Sequence, residues 1–207
     1  MTSLYLASGS PRRYQLLQLL ERPFSVIRPQ VEEIRQPHET APDYVSRLAE
    51  DKARAGLKLL EQQQSGIPFD AWVIGSDTVV VVDGDVLEKP RDQAHHAAMM
   101  ARLSGRSHQV MTAVAVVSVS DCLHDRVTTE VKFCQISPAQ AAKYWATGEP
   151  QDKAGGYAIQ GYAGKFVTYL KGNYSAVVGL PLYETEQLLQ RMQQPKTEGE
   201  QHDEASE

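Results

Sequence analysis

A short polar segment between two apolar stretches contains the first residues whose types suggest chemistry. The hexapeptide SGSPRR ends at Arg13, after a short apolar run and before a leucine-rich stretch. Ser10 and Pro11 are typical of a helix start, where the first N–H groups are free and the helix dipole is positive. Gly9 allows close approach of a bulky anion, and Arg12 and Arg13 can bind phosphate bidentately. A capped helix with two solvated arginines also fits, but the position directly after a strand predicts an anion site.

Carboxylates and lysines follow at the edges of the predicted elements. Asp77 lies within the β-branched run 72–82, between two segments that are apolar enough to be buried. An ionised carboxylate in such a place needs a partner, and a metal ion or a lysine is the natural one. Glu33, Lys52 and Lys89 taken singly could each be a solvated residue at the edge of an element. We therefore expect a functional role first of all for Asp77.

The composition excludes several other classes of protein. The chain has 207 residues, of which 42% are hydrophobic and 23% charged, and its formal net charge is −5. These values are typical of a soluble globular protein, and the negative charge argues against long nucleic acid as a main partner. The N-terminus lacks the features of a signal peptide, and no apolar run approaches the ~20 residues of a membrane helix. We expect a cytoplasmic protein that binds neither long nucleic acid nor a membrane.

The cysteines and histidines show no metal-ligand spacing. Cys122 and Cys134 lie in predicted strands, where we expect buried free thiols rather than a disulfide. His95 and His96 are adjacent on a predicted helix, so their side chains point apart. A solvated face is expected there rather than a pair of ligands.

Strands and amphipathic helices alternate along most of the chain. Strands are predicted at residues 4–7, 24–28, 72–82, 86–88, 108–119, 124–135 and 166–171, and helices at about 11–20, 42–62, 92–103, 138–148 and 182–192. The polar segment GSDT interrupts the β-branched composition of residues 72–82, and the Asp83-Gly84 pair predicts a tight hairpin turn. The long strands look antiparallel, which predicts a mixed twisted α/β sheet with flanking helices. Residues 1–192 are predicted to form a single domain, and residues 193–207 a polar, disordered tail.

The ordered motifs of the chain resemble those of the Maf family of nucleotide pyrophosphatases over essentially residues 3–192. The motifs that carry the resemblance are, in order, LASGSPRR, VEE, KA, GSDTV, LEKP, LSG, HQV, DKAGGY, IQG and VVGLP. Each motif alone is weak, but the ordered set is very specific. The resemblance implies the α/β fold of ITPase-like house-cleaning enzymes, with two lobes around a central nucleotide cleft.

The same resemblance implies roles for individual residues. Asp77 becomes the catalytic carboxylate and, together with Glu33, a ligand of a divalent metal cation, Mg²⁺ or Mn²⁺. The residues placed on the substrate phosphates are Ser8, Ser10, Arg13, Lys52, Lys89 and Lys153. Base preference falls to Arg12, Thr78 and Gln160, a combination that resembles the subfamily hydrolysing dTTP and UTP rather than the one associated with 7-methyl-GTP. The resemblance also suggests a homodimer.

These expectations together predict a nucleoside triphosphate pyrophosphatase that converts dTTP and UTP, or modified pyrimidine nucleotides, to the monophosphate and pyrophosphate. The Gln160 amide has a donor and an acceptor that suit the uracil edge, although the amide can flip, which leaves cytosine open. One alternative is a purine-analogue enzyme on the same fold, acting on ITP or 7-methyl-GTP. Another is a nucleotide-binding regulator of cell division, because the family is linked to inhibition of septum formation.

Overall fold

The computed structural model describes residues 3–64 and 70–194, which build one mixed seven-stranded sheet with helices on both faces. The strands are β1 (Ser3–Ala7), β2 (Phe24–Ile27), β3 (Ala71–Val82), β4 (Asp85–Leu87), β5 (Ser107–Val117), β6 (Cys122–Phe133) and β7 (Val167–Lys171). The helices are α1 (Pro11–Gln18), α2 (Ala41–Gln64), α3 (Gln93–Leu103), α4 (Pro138–Trp145), α5 (Tyr174–Val178) and α6 (Leu182–Gln193). The strand order is β2-β1-β3-β5-β6-β7, and β4 pairs with β3. Because β1 pairs in parallel with β2 and β3 while the other pairs are antiparallel, the predicted mixed α/β fold is confirmed.

Short polar residues fix the ends of several elements. Ser10, Asp92 and Ser137 are the N-caps of α1, α3 and α4, and the side chain of each accepts a hydrogen bond from the N–H three residues later. Such caps satisfy donors that have no partner inside the helix. Asp83 and Gly84 have positive φ angles of 54° and 81° and join β3 to β4 in a two-residue turn. This is the turn that the Asp-Gly pair predicts, because both central residues of a type I′ turn need positive φ.

Helix α2 approaches strand β3 most closely at Gly75. A Cβ atom on Gly75 would lie 2.1 Å from the carbonyl oxygen of Ala49 and 2.6 Å from the backbone nitrogen of Ala53, both in α2. Any larger residue would push the helix away from the sheet. Around this contact, α2 packs on the sheet face that carries Val73 and Val79. Glycine at position 75 therefore sets the distance between α2 and the middle of β3.

The opposite face of the sheet is divided into two apolar regions. One cluster of buried side chains joins α1 and α6 to β1 and to Ile74 of β3, and the other joins α3 and α4 to Val80 of β3. Between Ile74 and Val80 this face of β3 carries Ser76 and Thr78, because alternate residues of a strand share a face. This division corresponds to the two lobes that the resemblance implies.

The two edges of β3 have different partners. Strand β5 pairs with residues 73–81 of one edge without interruption. On the other edge β1 pairs as far as Ile74, and β4 pairs from Val80 onward. No strand in the described part of the chain pairs with this edge between those two residues. The strand predicted at residues 72–82 is therefore continuous through GSDT, because β5 pairs with it there and the gap on the other edge accommodates the polar side chains.

Two smaller expectations also differ from the structure. Helix α5 was not predicted, because five residues are too few to show a helical period. Cys122 and Cys134 are unpaired, as predicted, but both are partly exposed rather than buried, and Cys134 follows the last residue of β6.

The predicted tail falls almost entirely on residues 195–207, which lie outside the described residues. The domain boundary at residue 192 therefore stays a prediction. The cytoplasmic location and the homodimer also stay predictions. Within residues 3–64 and 70–194, no helix is long and apolar enough to span a membrane.

Substitution of Gly75 tests the contact between α2 and β3. Gly75→Ala is expected to lower the free energy of unfolding by about 2 kcal/mol or more, because overpacking typically costs ~1–3 kcal/mol and the atoms struck here are backbone atoms. Urea unfolding followed by circular dichroism measures the change. Gly9→Ala is the matched control, since a Cβ atom there meets nothing within 4 Å. A wild-type unfolding midpoint for Gly75→Ala would contradict this role.

Candidate active site

A cavity of about 990 Å³ lies at the gap in the edge of β3. Its walls come from the loops after β1 and β2, from α2, β3 and β4, and from segments 152–160 and 177–179. Ligands of open α/β sheets bind beyond the carboxyl ends of parallel strands, and β1 and β2 both end here. Every site residue predicted from the sequence lines this cavity: Ser8, Ser10, Arg12, Arg13, Glu33, Lys52, Asp77, Thr78, Lys89, Lys153 and Gln160.

Four charged side chains form a row of ion pairs on the α2 side of the cavity. The Nζ atom of Lys52 lies 2.6 Å from Asp77 Oδ1 and 2.6 Å from Glu33 Oε1. The Nζ atom of Lys89 lies 2.6 Å from the other carboxylate oxygen of Glu33. Side-chain exposure rises along the row from 10% at Asp77 to 57% at Lys89. The row therefore leads from the core to solvent, and Lys52 is the partner that the buried Asp77 carboxylate requires.

Glu33 remains ionised in this arrangement. Burial alone would raise the pKa of its carboxyl group, but the hydrogen bonds and charges of Lys52 and Lys89 lower this pKa to about 2. The hydroxyl of Tyr44 on α2 donates to the Glu33 carbonyl oxygen at 3.1 Å, which holds the backbone at this point. One oxygen of Glu33 and one of Asp77 each lie 2.6 Å from the Nζ atom of Lys52. The two carboxylates are therefore close neighbours.

Glu33 and Asp77 also form the donor set that suits a hard divalent cation. Among residues 3–64 and 70–194 there is no group of three or more His, Cys, Asp or Glu side chains arranged to bind a metal. Mg²⁺, however, commonly takes only one or two carboxylates, and fills its other positions with waters and substrate phosphates. The two carboxylates already converge on a cation, the ammonium group of Lys52. The residues present therefore fit the predicted metal.

The loop between β1 and α1 lines the cavity with Ser8, Gly9 and Ser10. Ser8 Oγ accepts from the N–H of Ser10 at 3.1 Å, and Ser10 Oγ accepts from the N–H of Arg13 at 3.5 Å. The N–H of Ser8 donates to the carbonyl of Ile27, which ties the loop to the end of β2. No atom lies within 4 Å of a Cβ built on Gly9. The space beside Gly9 can therefore admit an anion close to the backbone.

Arg13 is held in place by the end of α5. Its Nε donates to the carbonyl oxygen of Gly179 at 2.8 Å, and its Nη2 donates to the Thr78 hydroxyl at 3.5 Å. Ser76 donates to the same Gly179 carbonyl at 2.9 Å. The hydroxyl of Thr112 lies 3.0 Å from that of Thr78 and donates to the backbone of α5 at 2.7 Å. Sequence reasoning gave Ser76 and Thr112 no role, and the only hint was the polar character of the GSDT segment within a β-branched run.

The wall of the cavity opposite α2 carries Lys153 and Gln160. Arg12 lies next to this wall, close to Asp152. Lys153 forms an ion pair with Asp152, and only 13% of its side chain is exposed. Burial lowers the pKa of the Arg12 guanidinium, and the charge of Asp152 opposes that effect. Gln160 is exposed, and its amide makes no hydrogen bond within the described part of the chain. Its donor and acceptor are consequently available to a ligand.

Two buried histidines support this wall from behind. His96 Nε2 lies 3.1 Å from the carbonyl oxygen of Gly156, and His108 Nε2 lies 2.7 Å from the hydroxyl of Tyr157. Burial lowers the pKa of both rings, that of His108 to about 4, so both are neutral near pH 7. The expected solvated face at His95 and His96 is therefore wrong for His96, because α3 directs that side chain inward against the loop.

Comparison with known proteins agrees with the motifs. The chain matches the Maf-like protein family over residues 3–192. The dTTP/UTP pyrophosphatase of Yersinia pestis is 53% identical over 189 residues, which are 91% of this chain and 92% of that protein. The dTTP/UTP pyrophosphatase of Salmonella typhimurium is 50% identical over 203 residues, 98% of this chain and 100% of that protein. Among solved structures, the Staphylococcus aureus Ham1 protein is 15% identical and aligns with a TM-score of 0.45 over 64% of this chain and 72% of its own. With its family match covering nearly all described residues, this chain belongs to the Maf family.

Proposed function

We propose that the chain is a nucleoside triphosphate pyrophosphatase that hydrolyses dTTP and UTP to the monophosphate and pyrophosphate. Relatives named dTTP/UTP pyrophosphatase are 50% and 53% identical over nearly the whole chain. The observation that carries the proposal is the convergence of Asp77, Lys52 and Glu33 in the cavity that also receives the SGSPRR loop. Hydrolysis of a triphosphate needs neutralised phosphate charge, a positioned water and a stabilised leaving group. The cavity has residues for each of these tasks.

Triphosphate binding is assigned to the cations and hydroxyl groups around the cavity. The residues proposed to contact phosphate oxygens are Ser8, Ser10, Arg13, Lys52, Lys89 and Lys153. Because Arg13 Nε donates to Gly179 and Nη2 donates to Thr78, the guanidinium group is held in a fixed orientation while its Nη1 group remains for a ligand. The positive end of the α1 helix dipole adds a partial positive charge in the same place. Prior fixation of these groups reduces the entropy lost on substrate binding.

Asp77 is assigned to the attacking water. In the described residues only its Oδ1 is engaged, by Lys52, which leaves Oδ2 to orient a water toward the α phosphate and accept its proton. An ordinary aspartate, with a pKa near ~3.9, is a weak base. A divalent metal ion held by Glu33 and Asp77 would neutralise phosphate charge and lower the pKa of a bound water. Lys52, with its Nζ atom 2.6 Å from Asp77 Oδ1, then holds the carboxylate in its orientation while the phosphates are bound.

Base preference is assigned to Gln160, Arg12 and Thr78. The unengaged amide of Gln160 can donate to a carbonyl of uracil or thymine and accept from N3–H. Cytosine lacks the N3–H donor, so it would require the opposite orientation of the amide. Thr78 lies beside Arg13, one of the proposed phosphate contacts.

A panel of nucleoside triphosphates tests the proposed function. We expect pyrophosphate and the monophosphate to be released from dTTP and UTP in the presence of Mg²⁺ or Mn²⁺, and the release to stop with a chelator. The panel includes CTP, ITP and 7-methyl-GTP. Turnover of ITP or 7-methyl-GTP alone would contradict the pyrimidine preference. Release from no nucleotide would contradict the pyrophosphatase itself and favour a nucleotide-binding regulator.

Removal of the Gln160 amide tests base selection. Gln160→Ala is expected to reduce the UTP-over-CTP ratio of kcat/KM by about tenfold, because a net hydrogen bond contributes ~0.5–1.5 kcal/mol. Gln151→Ala is the matched control, since Gln151 is exposed and outside the cavity lining. Steady-state kinetics with both nucleotides gives the ratio. An unchanged ratio in Gln160→Ala would remove Gln160 from base recognition.

A further inference from the structure

Glu149 accepts hydrogen bonds from the segment that carries Gln160, although Glu149 itself does not line the cavity. Its Oε1 and Oε2 atoms accept from the backbone N–H of Tyr162 at 3.1 and 3.0 Å. The Oε1 atom also accepts from the hydroxyl of Tyr144 at 2.7 Å. One carboxylate thus anchors the backbone two residues after Gln160.

Tyr144 extends this anchor to the other side of Gln160. Its hydroxyl accepts from the backbone N–H of Ala158 at 2.9 Å, two residues before Gln160. The ring is fully buried, and burial together with the hydrogen bond to Glu149 raises the pKa of the hydroxyl. Tyr144 is therefore a neutral donor to Glu149 and an acceptor from Ala158 at the same time.

The packing around this pair leaves it little freedom. The rings of Tyr144 and Tyr162 stack at a centroid distance of 5.2 Å and an angle of 8°. The ammonium group of Lys165 lies 3.6 Å from the centroid of the Tyr162 ring. A Cβ atom on Gly161 would come within 2.1 Å of Glu149 Oε2, so glycine at this position leaves room for the carboxylate.

Glu149 also lies close in sequence to Lys153, a proposed phosphate contact. Glu149 opens the 3₁₀ turn Glu149–Asp152, which leads directly to Lys153. Tyr144 belongs to α4, whose start is fixed by a capping box at Ser137. The segment around Gln160 is therefore held by a hydrogen bond to a side chain of a capped helix, in addition to contacts within the loop.

We propose that the Tyr144–Glu149 pair is the positioning element for nucleobase recognition in this enzyme. By holding the backbone at Ala158 and Tyr162, the pair fixes the angle at which Gln160 presents its amide, without touching the substrate. This inference rests on the proposed function. Since Asp77 and Lys52 lie on the opposite wall of the cavity, loss of the pair should reduce pyrimidine discrimination and substrate affinity more than kcat.

Two conservative variants test the pair. Glu149→Gln replaces one acceptor oxygen with an NH₂ group that cannot accept from the N–H of Tyr162 or the O–H of Tyr144, and Tyr144→Phe removes the hydroxyl but keeps the ring. Each is expected to lower the UTP-over-CTP ratio of kcat/KM by about tenfold, the effect of one net hydrogen bond at Gln160, with kcat for UTP changed less than about threefold. Glu61→Gln and Tyr183→Phe are matched controls at exposed positions.

A double mutant separates positioning through Gln160 from a general structural role. If the pair acts through Gln160, adding Glu149→Gln to Gln160→Ala leaves the ratio at the value of Gln160→Ala alone. Effects that multiply in the double mutant would overturn the proposal. An equal loss of kcat for every nucleotide, or an unchanged ratio in both single variants, would overturn it too. If Glu149→Gln does not fold, Tyr144→Phe with the same double mutant decides.

Binding measurements separate this proposal from the proposed function. The ratio of dissociation constants for the α,β-methylene analogues of UTP and CTP is measured by calorimetry for the wild type and each variant. Because these analogues need not be cleaved, the ratio tests the pair even in a protein that releases no pyrophosphate. A wild-type ratio kept by both single variants would overturn the positioning role, whereas an inactive wild type would overturn only the hydrolytic function.

Discussion

The structure depends on a carboxylate in the middle of a buried strand and on the lysine that reaches it. Asp77 is 7% exposed, and such a charge is tolerated only when a partner balances it. Lys52 on α2 is that partner, and its Nζ atom lies 2.6 Å from Asp77 Oδ1. The helix can come so close because Gly75 has no side chain to strike the backbone of α2. One glycine contact therefore determines both the packing of α2 on the sheet and the geometry of the charged site.

The gap between β1 and β4 explains how side chains on opposite faces of β3 line the same cavity. Asp77 lies on the α2 face, and Thr78 lies on the other face, beside Arg13 and the end of α5. In a strand paired on both edges, the sheet would separate these two residues. Because β1 ends where the SGSPRR loop begins, both faces are reached from one opening. The cavity consequently brings ion pairs and neutral hydrogen-bonding groups together in one space.

The sequence predicts what depends on near neighbours in the chain. The cap at Ser10 and the turn at Asp83-Gly84 follow from local rules, and the structure contains both. The gap in one edge of β3 beside Asp77 was not predicted, because it depends on where β1 and β4 stop pairing with β3. The inward side chain of His96 was missed for a similar reason, since a loop sixty residues later covers it.

The candidate site divides in the same way. The ordered motifs predicted its charged residues as one set, and in the structure all of them line one cavity. The groups that hold them, such as Ser76 with Arg13 at Gly179 and Tyr144 with Glu149, have no local pattern. Each of these contacts joins elements that meet only in the folded chain. The residues that line the cavity were therefore easier to predict from the sequence than the residues that hold them in place.

The most direct test of the site is the single-turnover rate of UMP formation from UTP in Asp77→Asn. Asparagine keeps the shape and an oxygen for Lys52, and Glu33 still balances the charge of that lysine. We expect the rate to fall by at least ~10²-fold, the usual minimum for loss of a general base, with the melting temperature and the binding of α,β-methylene UTP retained. Asp125→Asn, at an exposed position on β6, should leave the rate unchanged. A rate in Asp77→Asn close to that of the wild type would show that the buried carboxylate does not carry the reaction.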